Sequence, residues 1–66
     1  MPLLALNGEP TPTEATTVAA LVAVTVGDPA GHAVALNGVV VRRADHHDTP
    51  LADGDVVEIV TAVQGG

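Results

Sequence analysis

The sequence predicts an α+β domain in which one main helix packs across one face of a mixed sheet of about five strands. Three observations lead there. Two Asn-Gly dipeptides, Asn7-Gly8 and Asn37-Gly38, each sit between apolar runs. They mark tight hairpins, because a type I′ turn needs φ > 0 at both central residues. A stretch after Thr16-Thr17 is rich in alanine and carries apolar residues at helical spacing. Finally, Val56-Val57-Glu58-Ile59-Val60-Thr61-Ala62-Val63 is a run of strong β-formers.

In chain order, Leu3-Leu4-Ala5-Leu6 reads as a strand, and Glu9-Pro10-Thr11-Pro12-Thr13 as its returning partner. Two prolines remove ladder donors, so the returning strand belongs at an edge, where they also blunt unwanted pairing. Thr16-Thr17 offers an N-cap for Val18-Ala19-Ala20-Leu21-Val22-Ala23-Val24. Val18, Leu21 and Val22 share one helical face. The alternation of Val22, Val24 and Val26 competes for a strand, but the alanines, Leu21 and the cap favour helix. Gly27-Asp28-Pro29 ends it, since Pro29 cannot continue a helix.

His32-Ala33-Val34-Ala35-Leu36 and Val39-Val40-Val41-Arg42 form the second hairpin. The polar segment from Arg43 to Pro50 reads as a solvated loop with room for one helical turn, anchored by Leu51. Asp53-Gly54-Asp55 then turns the chain into the last strand. The first and last strands are expected side by side and parallel at the sheet centre. The helix and second hairpin supply the long connection that parallel strands need. In the last strand Val57, Ile59 and Val63 should face the helix. Val60 and Ala62 should face away, and small apolar residues with nothing to cover them suggest a partner patch.

The chain has 66 residues, 47% of them apolar and none aromatic. A domain of this size buries only about 60% of its unfolded surface, which leaves little room for a deep catalytic cleft. The expectation is therefore a protein that serves enzymes rather than an enzyme. No cysteine is present, which excludes disulfides and persulfide carriage on a side chain. No lysine is present either, so the chain offers no side-chain amine for isopeptide links. Eight acidic residues against two arginines give a net charge of −6. Such a surface repels nucleic acid and anionic lipid and suits a partner with a basic docking face. No apolar run is long enough to span a membrane, and Met1-Pro2-Leu3-Leu4 lacks the basic start of a signal peptide, so a cytoplasmic location is expected.

After the last strand, side-chain bulk stops at Gly65-Gly66. Two glycines adopt nearly any φ/ψ and present a carboxylate with nothing beside it, a shape suited to threading a narrow enzyme channel. Gln64 to Gly66 span about 10 Å when extended.

The element order, the hairpin Val34-Ala35-Leu36-Asn37-Gly38, and above all Thr49-Pro50-Leu51-Ala52-Asp53-Gly54-Asp55 running into Val57 through Gly66 resemble the ThiS family, the small sulfur carriers of thiamine biosynthesis. The resemblance implies a ubiquitin-like β-grasp domain over residues 1–63 and a flexible Gly-Gly tail over 64–66. It implies that Gly66 is adenylated by an E1-like enzyme with Mg-ATP, with Gly65 as the threading residue. The thiocarboxylate then formed, fed by a sulfurtransferase, donates sulfur to thiazole synthase. No cofactor is bound by the carrier itself. Val60, Ala62, Gln64 and Arg43 are the expected partner contacts. The family often carries Pro-Arg after the second hairpin, so Arg43 matches and Arg42 departs. It often carries a large aromatic in the following loop, where His46 and His47 stand here.

Two other readings share the Gly-Gly end: a carrier for molybdopterin or amino-acid biosynthesis, and a β-grasp interaction module or protein tag. Molybdopterin carriers usually approach the Gly-Gly through prolines, which Thr61-Ala62-Val63-Gln64 lacks. The pair His46-His47 lacks a third and fourth metal ligand at usable spacing. Arg42-Arg43 is read chiefly as balancing an acidic surface, and the Asn-Gly pairs as turn chemistry.

Overall fold

The computed structural model describes residues 2–28 and 30–61. Strand β1 (Leu3–Leu6) is followed by β2 (Glu9–Pro12), helix α1 (Val18–Thr25), β3 (His32–Leu36), β4 (Val39–Val41), a 3-10 helix (Arg43–Asp48) and β5 (Val56–Thr61). The strands form one sheet in the order β2-β1-β5-β3-β4. β5 lies at the centre, parallel to β1 and antiparallel to β3. This is the five-stranded mixed sheet with one main helix that the sequence predicts. Both hairpins turn through Asn-Gly in the left-handed region, with φ of 50° and 84° at Asn7-Gly8 and 51° and 84° at Asn37-Gly38. Pro10 and Pro12 lie in the outermost strand, β2, where a missing donor breaks no inner ladder.

The Thr17 side chain caps α1 by accepting from the Ala20 N–H at 3.2 Å. At the other end the Val26 and Gly27 N–H groups both reach the Val22 carbonyl, and Gly27 takes φ 85°. That left-handed residue breaks the helix before Pro29. Val18, Leu21 and Val22 turn the same face inward and pack with Leu4, Val34, Val57 and Ile59. Leu51 packs against this core, as expected of the loop anchor. Val63, read as part of the same inward face, lies outside the described residues.

Two features differ from the sequence reading. The segment Arg43–Asp48, read as a loop with room for one helical turn, is a 3-10 helix over its six residues. It is not solvated throughout: His46 is only 5% exposed, and its Nε2 lies 3.3 Å from the Val41 carbonyl. The short helix packs on α1, and the imidazole lines the seam beside Ala19 and Val22. His46 is thus an anchor with an apolar ring wall and a polar tip, while His47 stays exposed. The chain after it is pinned to the start of α1, with Val18 N–H on the Thr49 carbonyl and Leu51 N–H on the Thr16 carbonyl, both at 2.9 Å.

The hairpin asparagines do more than turn the chain. Beyond Leu6 the first strand bends away, and β5 would be left without a neighbour on that edge. The Asn7 amide fills the gap: its Oδ1 accepts from Ile59 N–H at 2.8 Å and its Nδ2 donates to the Ile59 carbonyl at 3.0 Å. On the other edge Asn37 Oδ1 accepts from Val56 N–H at 2.8 Å, while its own backbone N–H donates to the Val56 carbonyl at 2.7 Å. A carboxamide carries the same donor and acceptor as a peptide unit, so it continues a ladder where backbone is absent.

Two stability outcomes follow from this packing. Ile59→Ala empties a buried site at the sheet centre and should lower stability by about 2–5 kcal/mol in urea or thermal unfolding; an unchanged melting curve would contradict the packing. Asn7→Gly keeps the left-handed turn but deletes the amide. It should lose about 1–3 kcal/mol, because two strand groups of Ile59 lose their partners. Equal stability of Asn7→Gly and the wild type would show that the turn alone matters.

Candidate functional site

The alternation of β5 splits the domain into two faces. Val57 and Ile59 point into the core, and Val56, Glu58 and Val60 point out on the other side. Register extends that outer face across the sheet. Ala33 lies opposite Val60, Ala35 opposite Glu58 and Val40 opposite Ala35, while Ala5 lies beside Val56. Helix α1 and the 3-10 helix cover the inner face. The outer one stays open, with Val40 71%, Val60 55%, Leu3 48% and Val56 47% exposed. The exposed sheet face is thus apolar, on a chain whose net charge is −6. No cluster of three or more His, Asp or Glu positioned to hold a metal occurs among the described residues.

Of the expected contact residues, Val60 sits on this open face, in the strand that leads to the Gly-Gly end. Arg43 does not join it. Arg43 belongs to the 3-10 helix and lines the groove with Ala19, Val22 and Ala23 of α1, on the covered side of the sheet. Ala62, Gln64, Gly65 and Gly66 lie outside the described residues. Glu58 shares this open face by the same period 2, although it is not among the expected contacts. The strand that carries these residues is fixed by side-chain bonds at its start as well. Asp55 accepts from the Ala52 N–H at 2.8 Å and from Asn37 Nδ2 at 3.1 Å, and Asp53 accepts from the Leu3 N–H at 2.7 Å. The Asp53-Gly54-Asp55 turn thereby sets where β5 begins against both neighbours.

Comparison with known proteins follows the same lines. The family model described as the ThiS family matches residues 3–66. The sulfur carrier protein ThiS of Thermus thermophilus is 43% identical over 61 residues, covering 92% of this chain and 95% of that protein. The crystal structure of the thiamine biosynthesis protein ThiS from Geobacter metallireducens superposes with a TM-score of 0.83 at 32% identity, covering 97% of this chain and 99% of that one. That neighbour carries the ubiquitin-like β-grasp fold, as does the sheet and helix arrangement described above. With a match from the first strand through the Gly-Gly end, the chain belongs to the ThiS family.

Proposed function

We propose that the chain is the sulfur carrier of thiamine biosynthesis, with the Gly66 carboxylate as the group that carries sulfur. The observation that supports this best is the family match running through residue 66 on a domain whose central strand leads directly to Gly65-Gly66. The names of the relatives favour thiamine over a molybdopterin pathway.

A carboxylate is a poor electrophile and must be activated before sulfur can add. The partner is an E1-like adenylating enzyme that supplies Mg-ATP. A Gly66 carboxylate oxygen attacks the ATP α-phosphorus and pyrophosphate leaves. Hydrosulfide, released from a sulfurtransferase persulfide by a thiol reductant, then attacks the acyl carbon and displaces AMP, and the resulting thiocarboxylate is the donor to thiazole synthase. The chain's own part is to dock, to reach and to present. Docking falls to the open face around Val60. Reach falls to Gln64 to Gly66, about 10 Å of extended chain. Presentation falls to Gly65, whose lack of a side chain suits a channel wide enough for backbone only. With no cysteine in the chain, the carboxylate is the one group able to hold transferable sulfur.

Binding and reaction therefore separate under mutation. Deleting Gly66 withdraws the carboxylate by one residue, about 3.5 Å. ATP–pyrophosphate exchange should be abolished while affinity for the adenylating enzyme barely changes. Gly65→Val should stop exchange in the same way, because a β-branched residue adds width and narrows φ/ψ. Full exchange by the Gly66 deletion would rule out the terminus as the reacting group. Conversely, Val60→Asp should weaken binding at least tenfold, about 1.4 kcal/mol, with an unchanged melting temperature. Loss of the fold in Val60→Asp would assign Val60 to the core instead of to docking.

A further inference from the structure

Glu58 is the one charged residue among the strand-paired positions of the open face. It stands between Val56 and Val60 along β5 and opposite Ala35 on β3. Glutamate is disfavoured in strands, and a central strand is where it fits least. Its strand-paired neighbours are alanine and valine, and the nearby Asn7 amide is bonded to the Ile59 backbone instead. No side-chain hydrogen bond among the described residues involves its carboxylate, whereas Asp53 and Asp55 on the preceding turn are both engaged by backbone donors. The charge is thus presented outward in the middle of an apolar field.

We propose that Glu58 is a specificity-determining residue for docking, and that the adenylating enzyme places an arginine or lysine against it within an apolar patch. The proposal rests on the docking role given to the open face above. Covering the apolar field necessarily covers Glu58. A carboxylate desolvated without a partner costs several kcal/mol, so an uncharged apolar surface is rejected and a surface with a matching cation is accepted. The same charge fixes register: sliding the partner by one residue pair along β5 moves its cation from Glu58 to valine. The chain's net charge of −6 adds long-range attraction to a basic surface. Apolar contact supplies affinity and Glu58 supplies selection and orientation.

The test is a binding titration of the full-length chain with its adenylating enzyme, at low and high salt, with Glu58→Gln, Glu58→Lys and Val60→Asp in parallel. Glu58→Gln should raise Kd roughly tenfold and Glu58→Lys roughly a hundredfold. The salt dependence of binding should flatten in Glu58→Gln. Pyrophosphate exchange at saturating carrier should match the wild type, and so should the melting temperature, since Glu58 is exposed. If Val60→Asp weakens binding and Glu58→Lys does not, the face docks but the cation is absent, and this proposal alone is overturned. If neither variant weakens binding, the open face is not the docking surface and both readings fail. If Glu58→Gln binds normally but self-associates in sedimentation, the charge serves only to keep copies of the chain apart, which also overturns the proposal.

Discussion

The domain depends on β5 being held along both edges. A strand at the centre of a sheet must pair every inward N–H and C=O, and its neighbours here are short. β1 pairs with it through Ala5 and Leu6 and then turns away at Asn7. The Asn7 amide takes over at Ile59, bridging 52 positions of sequence. Asn37 holds Val56, where β3 turns away at the opposite end of the strand, with its Oδ1 on the N–H and its own backbone N–H on the carbonyl. Each asparagine is therefore a turn residue by its backbone and a strand residue by its side chain. Only a residue that tolerates positive φ and carries a carboxamide meets both demands. Without them, the most buried strand of a domain this small would carry unpaired backbone groups, each a sizeable fraction of a marginal stability.

That constraint shapes the function. Because β5 is fixed at the sheet centre, its inner face is committed to the core and its outer face to the surface, one residue apart. Val57 and Ile59 hold α1, and Val60 and Glu58 meet whatever covers the sheet. The helix layer takes no part in that outer surface. Arg43, one of only two arginines in the chain, is left in the groove between α1 and the 3-10 helix. Under the proposed function, docking and delivery are properties of a single strand and its continuation, which is economical in a chain of 66 residues. In the proposed function the domain is gripped by its sheet while the chemistry happens beyond it.

Much of this was legible in the sequence because it is encoded locally. Asn-Gly between apolar runs specifies a hairpin, two prolines specify an edge, and Val18, Leu21 and Val22 specify a buried helical face. The parallel pairing of first and last strands followed from the length of chain between them. What escaped notice depends on contacts distant in sequence. Nothing near Asn7 announces a partner at Ile59. Nothing in Arg43-Ala44-Asp45-His46-His47-Asp48 announces that one of two adjacent histidines is buried, because the choice is made by the rotation of a single helical turn against Ala19 and Val22. Glu58 was legible by alternation. The apolar field around it was not, because that field is assembled from β1, β3 and β4 only when the strands pair.

Carriage of sulfur on the end of the chain, as proposed, is open to direct measurement. The most direct measurement is the intact mass, with fragmentation, of the full-length protein after incubation with its adenylating enzyme, ATP and a sulfide source. Sulfur on the terminus gives a mass gain equal to exchange of one oxygen for sulfur, confined to the fragment that contains Gly66. An unchanged mass despite ATP consumption, sulfur on any other residue, or covalent attachment of the whole chain to a target protein would contradict it.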